Sequence, residues 1–461
     1  MSETLKVNHQ TLEPSSISLR RHSKTNWPGS LKLIFWFCQQ ILVNIPALFA
    51  LRDYYAQQNR KSKEEPVVLW IGDNLDEVNG IAITSRIMIR KLREQGKKIF
   101  LWGVAFHTKQ ARSENADGSV VLVPGPYSMD QAGYPHSELA IPYLRTLIDF
   151  LKTHRVDIIE FQTPGPVAVM GLWVAKIVGI RTLSHYRTDI LTYSKLLVKN
   201  KPGVWGINTW TILTTRLAGQ VIVPSQAYAE KIHEEMNIPL SQIVKLPRGV
   251  DLSHFHPDKK NLRAWEKFNL PKSSIKLLYV GRISFEKNLA LFTETFPKIL
   301  QRNPDITLTV VGGGPYCETL KENLAHTGKA FFPGILQGDD LTSLIASADI
   351  FVFPSNTDTF GNSVIEALAS GVPCITSNQG GPQEIIENGL CGFVFDAHSP
   401  QDFINKVLLL AQDQEKLAAF KLRSRERALQ FTYDRSAESF WNYYRHIHQS
   451  FINTKEKYVN S

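Results

Sequence analysis

Short apolar runs alternate with segments in which apolar residues recur every three or four positions, and this alternation begins at residue 67. The runs predict strands buried on both faces of a parallel sheet, and they are Val67–Ile71, Ile99–Val104, Val156–Phe161, Arg181–Tyr186, Leu217–Ile222 and Ile243–Leu246. The segments between them predict helices at Ile81–Gln95, Ile141–His154 and Ala168–Val178. This first half therefore reads as one α/β domain.

The same alternation restarts after a linker of mixed polarity, roughly Asp251 to Ser274. Its predicted strands are Lys276–Val280, Ile306–Val311, Ile350–Phe353 and Cys374–Thr376, and its predicted helices are Asn288–Leu300, Leu341–Ser347 and Ser363–Ser370. Two such sets predict an α/β protein with two Rossmann-like domains that face a cleft. Ligands of open parallel sheets bind beyond the carboxyl ends of the strands, so the loops at those ends should carry the chemistry.

An apolar helix is predicted ahead of both domains, within an extension that covers residues 1–65. Its apolar stretch, Leu33–Leu51, has 19 residues interrupted by polar side chains and a proline, which makes a bilayer-spanning helix or a signal peptide a poor fit. The extension contains nine Lys or Arg and five Asp or Glu. This combination favours a helix at 31–51 that lies in the headgroup region of an anionic membrane. The alternative is a helix packed on the protein's own surface or on a partner chain.

Composition narrows the function classes only a little. The 461 residues include 52 Lys or Arg and 43 Asp or Glu, a formal net charge of +9, and 43% are hydrophobic, as in a globular protein of two or three domains. The charge would suit nucleic acid or an anionic membrane, but no cluster of aromatic and basic residues supports nucleic acid. Four cysteines without a C-x-x-C spacing exclude a disulfide framework and a zinc ribbon, and they favour a reduced, cytosolic compartment.

Two loops at strand ends in the first half carry candidate chemistry. In the loop 72–82, Asn79 and Gly80 stand directly before a helix, whose N-terminal N–H groups attract phosphate, although Asn-Gly is also ordinary turn chemistry. In the loop 183–189, His185 and Arg187 are two residues apart and point the same way if the strand persists. A salt-bridged strand end is the alternative there.

Three loops in the second half are more informative. Arg282 and Lys287 directly follow a buried strand and suit a diphosphate, the alternative being a surface pair with Glu286. The segment VVGGGP lacks the G-x-G-x-x-G spacing and reads as a tight turn. In the segment 354–373, a helix begins at Gly361, with Asp358 before it and Glu366 one turn in. Such a helix start can hold a phosphate while two carboxylates bond sugar or ribose hydroxyls.

These pieces, taken in order, resemble the retaining glycosyltransferases of the GT-B fold, family GT4. The resemblance runs from about residue 67 to about residue 450 and is carried by VNGIA, VDIIEFQTPGP, IVPS, RGVDLSHFHP, YVGR…EKN, VGGGP, SADIFVFPSNTDTFGNSVIEALASGVPCI and GGPQEII. It is strongest for the branch of sulfoquinovosyl-diacylglycerol synthase and lipid mannosyltransferases, which often act on membrane lipids. It implies an acceptor domain at 66–255, a nucleotide-sugar donor domain at 256–431, and a last helix at 432–450 that rejoins the first domain.

The resemblance also implies roles for single residues. Arg282 and Lys287 match the family's cations on the donor diphosphate, and Gly80 matches the glycine that lets a loop approach the phosphates. Glu366 matches the glutamate on the nucleotide ribose. The remaining donor-binding matches are Phe360, Gly361 and Asn362 at the helix start, and Gly380 and Gly381 near the donor sugar.

Two departures from the family pattern concern the candidate catalytic residues Asp358, Arg187 and His185. The family's E-x7-E pair is here Asp358-x7-Glu366, so the first carboxylate is one methylene shorter. The family's Tyr-His-Thr-Asp has Arg187 in place of its histidine. The same-face spacing puts His185 close enough to serve nearby, but the histidine's role is not assigned to it, and the alternative is that Arg187 binds an anionic group on the sugar or the acceptor.

The predicted reaction transfers a sugar from a UDP- or GDP-linked donor to an acceptor hydroxyl with retention. No metal is expected, since no matching loop carries D-x-D. A membrane glycolipid is the preferred acceptor, with the enzyme peripheral on the cytoplasmic face of a membrane. The alternatives are a transferase building lipopolysaccharide or another polysaccharide, a nucleotide-sugar-binding protein that has lost catalysis, and an epimerase acting on a nucleotide sugar.

Overall fold

The computed structural model describes residues 29–58, 65–73, 75, 80–105, 112–130, 138–198, 200–261, 263–268, 270 and 275–459. The helices of these residues are α1 (Gly29–Gln58), α2 (Gly80–Glu94), α3 (Leu144–Thr153), α4 (Pro166–Val178), α5 (Ile190–Leu197), α6 (Lys201–Leu217), α7 (Gln226–Met236), α8 (Arg263–Lys267), α9 (Ala290–Arg302), α10 (Cys317–Leu324), α11 (Gly338–Ala346), α12 (Asn362–Ala369), α13 (Pro400–Gln412), α14 (Gln414–Ala428) and α15 (Tyr433–Val459). Asn79 lies outside the described residues, as do residues 1–28 and 59–64 of the predicted extension.

The strands belong to two large sheets and one short hairpin. They are β1 (Val68–Gly72), β2 (Ile99–Ala105), β3 (Arg112–Ser113), β4 (Val120–Pro124), β5 (Tyr127–Asp130), β6 (Glu138–Ile141), β7 (Ile158–Phe161), β8 (Arg181–His185), β9 (Gln220–Val223), β10 (Ile243–Lys245), β11 (Ile275–Val280), β12 (Ile306–Val311), β13 (Ala330–Gly334), β14 (Ile350–Phe353), β15 (Cys374–Ser377) and β16 (Gly392–Phe395). The expectation of two parallel-sheet α/β units is therefore confirmed.

The first sheet has eight strands in the order β10-β9-β8-β7-β1-β2-β4-β3, and all neighbours are parallel except β3 with β4. Its central strands are apolar because both faces are covered. Helices α2 and α15 pack on one face of this sheet. Helices α1, α3 and α4 contribute to the hydrophobic core on its other face. The chain order reverses between β1 and β7, which is where a crevice opens at the carboxyl edge of such a sheet.

The second sheet has six strands, all parallel, in the order β13-β12-β11-β14-β15-β16. Its order reverses between β11 and β14. The loops that follow those two strands contain Arg282, Lys287, Asp358 and Gly361. The fold thus brings residues some 70 positions apart in sequence to one edge, at the place where open parallel sheets bind ligands.

Two predicted boundaries of the first domain were wrong. The strand expected at Leu217–Ile222 begins at Gln220, because Leu217 ends α6 and Gly219 turns the chain with a φ of 93°. The helix expected from Ile141 begins at Leu144. Ile141 instead closes the hairpin β5–β6, and the proline at 142 supplies no N–H to extend that strand.

Helix α1 is packed on the first domain by one side only. Leu48, Leu51 and Tyr55 are buried against α3 and α4, and the Tyr55 hydroxyl donates to the carbonyl oxygen of Leu151 at 3.1 Å. Other apolar side chains of α1 remain exposed, among them Leu42 and Val43. Within the described residues, no helix combines the length and apolar content needed to cross a membrane.

The last helix, α15, returns to the first domain and reaches its core. Tyr444 is fully buried, accepts a hydrogen bond from the indole Nε1 of Trp70 at 2.9 Å, and donates to Glu160. Glu160 lies on β7, next to β1 and at the reversal point of the sheet. Helix α15 therefore holds the Glu160 carboxylate in place at the reversal point of the first sheet.

Candidate active site

The carboxyl edges of the two sheets meet, and side chains of one bond the backbone of the other. The Thr359 hydroxyl donates to the carbonyl oxygen of Arg187 at 2.8 Å, and the Tyr228 hydroxyl donates to that of Thr357 at 2.7 Å. The Ser225 hydroxyl donates to the carbonyl oxygen of Thr359 at 2.9 Å. The loop 183–189 and the segment 354–373, both singled out in the sequence, thus meet at one cleft.

A buried ion pair lies on the second-sheet side of the cleft. The Lys287 Nζ is 2.9 Å from each carboxylate oxygen of Asp358 and 3.4 Å from the Tyr193 hydroxyl. Burial by itself would lower the pKa of Lys287, but the adjacent Asp358 carboxylate raises it above its usual value, so the ammonium stays charged. For Lys287, the alternative of a surface pair with Glu286 is not what the structure shows, because Lys287 is bonded to Asp358 and the Glu286 carboxylate accepts from Ser284.

Two helix N-termini converge beside this pair. Gly361 precedes α12 with a φ of 101°, a conformation that favours glycine. A Cβ on Gly381 would stand 2.1 Å from the carbonyl oxygen of Thr359, so the 380–381 glycine loop packs directly on the turn before α12. Across the cleft, Gly80 begins α2, and a Cβ there would lie 4.0 Å from the Asn362 amide nitrogen. Helix dipoles and free N–H groups make this a favourable place for a phosphate.

Glu366 and Phe360 have different surroundings on α12 and the turn before it. The Glu366 side chain is half-buried and has no hydrogen-bond partner among the described residues, and burial raises its pKa to about 8. A carboxyl group so placed lacks donors that a ligand's hydroxyls can supply. The Phe360 side chain is instead buried and packs on Phe431, with ring centroids 6.2 Å apart, so any part it plays in the site is through shape.

Arg187 and His185 lie together on the first-sheet side. One terminal nitrogen of Arg187 donates to the Ser85 hydroxyl at 3.1 Å and to the carbonyl oxygen of Ile81 at 3.3 Å, at the start of α2. The guanidinium lies over the Trp70 ring, 5.4 Å from its centroid. Burial lowers the pKa of Arg187 to about 10, which still leaves it charged near neutral pH.

His185 is buried, and its Nδ1 lies 2.9 Å from the Glu160 carboxylate. Burial lowers its pKa well below the usual value, with Arg187 adding to the effect, so the imidazole is neutral. With a neutral ring this contact is a hydrogen bond to Glu160, not the salt bridge considered as an alternative for this loop. The roles of His185, Arg187 and Asp358 in catalysis remain predictions.

Arg248 is a cleft residue that received no individual role in the sequence analysis. Its terminal nitrogens lie 3.5 Å from the Asn362 amide oxygen and 3.3 Å from the Arg187 carbonyl oxygen. Burial, and then the nearby Arg187, lower its pKa to about 9. The signal was available, since Arg248 closely follows the carboxyl end of β10, as Arg282 follows β11. Among the described residues, no group of three His, Cys, Asp or Glu side chains could hold a metal ion.

Two family models match the chain, one over each half. The model for Glycosyltransferase Family 4 matches residues 78–254, and that for Glycosyl transferases group 1 matches residues 262–427. Both matches fall on the two sheets whose edges form the cleft.

Relatives with curated descriptions share a quarter to a third of their residues with this chain. The sulfoquinovosyl transferase SQD2 of Arabidopsis thaliana is 29% identical over 73% of this chain and 65% of its own length. A GDP-mannose-dependent alpha-mannosyltransferase of Corynebacterium glutamicum is 28% identical over 55% of this chain and 58% of its own. The alpha-monoglucosyldiacylglycerol synthase of Streptococcus pneumoniae is 24% identical over 79% of this chain and 81% of its own length. The first two matches thus span less than two thirds of those relatives.

Solved structures share the fold at lower identity. Sucrose-phosphate synthase from Thermosynechococcus elongatus superposes with a TM-score of 0.65 at 18% identity, covering 84% of this chain and 100% of its own. Anabaena HepE, solved in complex with UDP-glucose, gives a TM-score of 0.61 at 18% identity, with coverage of 85% and 100%. At this identity the likeness establishes the architecture alone.

Proposed function

The chain belongs to the family 4 glycosyltransferases of the GT-B fold, and from that premise we propose that it moves a hexosyl group from a nucleotide-diphosphate sugar to a hydroxyl of a membrane glycolipid. The observation that carries the proposal is the Lys287–Asp358 pair beside the N-terminus of α12, faced by the N-terminus of α2. A lipopolysaccharide or polysaccharide acceptor, and a protein that binds the donor without turnover, are the competing outcomes of a transfer assay.

The proposed chemistry relies on positive charges that the protein carries before the donor binds. Breaking the bond between the anomeric carbon and the diphosphate puts negative charge on the leaving group. In this proposal Lys287, Arg282 and the start of α12 stabilise that charge, while Asp358 orients the sugar. The acceptor oxygen bonds the same face of the anomeric carbon, and its proton passes to a phosphate oxygen, so the configuration is retained. No step in this scheme requires a metal.

Nucleotide binding gives the direct test of the donor site. We expect one of UDP, GDP or ADP, with its sugars, to raise the melting temperature of the full chain. A ligand at about 100 times its Kd should add roughly 2.7 kcal/mol to the free energy of unfolding. An Arg282→Ala variant should lose most of that shift, because one cation on the diphosphate is gone.

The matched control is Arg302→Ala, which removes an exposed arginine at the end of α9. It should keep the full nucleotide shift, and both variants are measured against their own ligand-free melting temperatures. Absence of a shift with every nucleotide, or an equal shift in the Arg282 and Arg302 variants, would contradict the proposed donor site.

Exposed apolar side chains on the first domain support the membrane contact expected for 31–51, and they extend it to α6. The exposed side of α6 carries Trp205, Trp210, Leu213 and Leu217. Helix α4, which packs between α1 and α6, adds a partly exposed Trp173. Tryptophan is the side chain that best suits the boundary between headgroups and acyl chains.

The charge around these helices fits an anionic surface. No Asp or Glu occurs between Asp189 and Glu230, a stretch that contains Lys195, Lys199, Lys201 and Arg216. Each basic residue near an anionic bilayer contributes about 1 kcal/mol of attraction. We therefore propose that α1 and α6 rest together on an anionic membrane.

Vesicle binding tests this contact. The full chain should bind phosphatidylcholine vesicles that contain about a third phosphatidylglycerol, and a Trp205→Ser/Trp210→Ser variant should bind at least about tenfold more weakly, because two large apolar side chains no longer enter the boundary. The control is Leu422→Ser, which alters a leucine on α14 of the other domain that is 72% exposed. Equal binding by the tryptophan variant and the control would exclude α6 from the contact.

A further inference from the structure

A small pocket lies on the first-sheet side of the cleft, between the loops that follow β7 and β8. It is lined by Ile81 of α2, by the segment 162–164, by the segment 184–188, by Ile190 and by Thr215 of α6. Its volume of about 20 Å³ gives room for one water-sized group. The backbone of Arg187, which contributes to the lining, is bonded by Thr359 of the other domain, so the pocket adjoins the donor side of the cleft.

Three buried polar atoms among its lining residues have no hydrogen-bond partner. They are the Gln162 Oε1, the His185 Nε2 and the Thr215 Oγ1. The three side chains are 1%, 3% and 1% exposed. A buried polar atom left without a partner costs about 1–3 kcal/mol, so three around one pocket mark a place where a polar group is accommodated.

The neighbouring Glu160 carboxylate determines whether these atoms are hydrogen-bond donors or acceptors. The Gln162 amide nitrogen donates to the Glu160 Oε1 at 2.7 Å, which leaves the amide oxygen as the unpartnered atom. The His185 Nδ1 is 2.9 Å from the same oxygen and 3.4 Å from the Arg187 Nε, and we assign the ring proton to Nδ1 because the shorter contact is to a carboxylate oxygen that accepts it. The His185 Nε2 then carries a lone pair. Two of the three atoms are therefore acceptors, and the Thr215 hydroxyl can act either way.

This arrangement selects among ligand groups. A phosphate or carboxylate oxygen in the pocket would face the lone pairs of Gln162 and His185, which repel it. One terminal nitrogen of Arg187 is used at the start of α2 on Ile81 and Ser85, and its Nε lies 3.4 Å from the His185 Nδ1. Displacement of a bound hydroxyl probe by phosphate would show that the charge of Arg187 reverses this preference. A hydroxyl group offers the missing donor and fits the volume.

From these contacts we propose that the pocket receives a neutral hydroxyl group of the acceptor, so the headgroup recognised is a polyol such as glycerol or a sugar. This inference rests on the proposed function, since it names the chemical class of that reaction's acceptor. In the absence of acceptor, a water molecule would satisfy the same three atoms.

Saturation-transfer NMR on the full chain tests the proposal with two probes, glycerol and methyl α-D-glucopyranoside, in the presence of UDP or GDP. We expect saturable binding of at least one probe that inorganic phosphate does not displace. Thr215→Val removes one hydroxyl at almost constant volume and should weaken probe binding about fivefold, as expected for one lost hydrogen bond. Gln162→Met provides a second variant with the same expectation.

Thr309→Val is the matched control. The Thr309 hydroxyl is also buried and unpartnered, but it lies on β12 in the second sheet, so its loss should leave probe binding unchanged. Nucleotide binding without saturable probe binding would mean that the pocket holds water only. This result would overturn the inference about the pocket and leave the proposed donor site standing. Displacement by phosphate, or equal effects of the Thr215 and Thr309 variants, would overturn it as well. A chain that binds the probes but no nucleotide would keep the pocket and overturn the proposed donor site.

Discussion

A Lys287→Ala variant is expected to lose about 10²–10³-fold in kcat/KM for the nucleotide sugar. The ammonium lies in the cleft within 2.9 Å of both oxygens of Asp358, and its removal takes away a preorganised positive charge where the leaving diphosphate develops negative charge. It also leaves the Asp358 carboxylate without its cation. Initial rates at varied donor concentration measure the effect, with the melting temperature recorded beside them.

Lys298→Ala separates this loss from a general effect of removing a lysine. Lys298 lies on α9 in an exposed pair with Glu294 at 3.1 Å, and such pairs contribute little. Its kcat/KM should stay at the level of the unmodified chain. A Lys287→Met/Asp358→Asn double variant should recover much of the stability lost with Lys287 and none of the turnover. Turnover by the Lys287 variant within about twofold of the unmodified chain would remove Lys287 from the mechanism.

The loops at the strand ends could be placed from sequence because the rule that places them is local. Arg282 and Asp358 each come shortly after an apolar run that is long enough for a strand. A residue in that position lies at the carboxyl edge of its sheet, independently of the rest of the chain. Where the strand order of a sheet reverses, the loops that follow the two neighbouring strands then come together. For the same reason Arg248, which closely follows the predicted strand Ile243–Leu246, was within reach of this rule.

The interior of the site depends on contacts that no local pattern contains. Glu160 is the one charged residue of β7, and its bond to Tyr444 joins residues 284 positions apart. Arg187 could be assigned to the cleft from its loop, but the direction of its guanidinium is set by Ser85 and Trp70. Two of the three unpartnered atoms of the pocket belong to Gln162 and His185, whose other polar atoms contact Glu160, so the pocket could not be predicted from the sequence either.

Nucleotide binding is expected to strengthen as the pH rises from about 6 to about 8. Burial raises the pKa of the half-buried Glu366 to about 8, so its carboxyl group is largely protonated in the free protein at neutral pH. Ribose hydroxyls that donate to it favour the ionised form, and binding therefore releases a proton. Below pH 8 the ionised fraction falls about tenfold per pH unit, and the apparent affinity should fall by up to that factor.

A Glu366→Gln variant should bind the nucleotide about 10- to 100-fold more weakly at pH 8, because hydrogen bonds to a charged acceptor are lost, and its affinity should no longer follow this pH profile. Titration calorimetry in two buffers with different ionisation enthalpies measures the affinity and the proton released together. Glu318→Gln, which alters an exposed carboxylate on α10, should reproduce the unmodified profile. If the Glu366 variant kept the same pH dependence and proton release, another group would be titrating, and the ribose would lie away from Glu366.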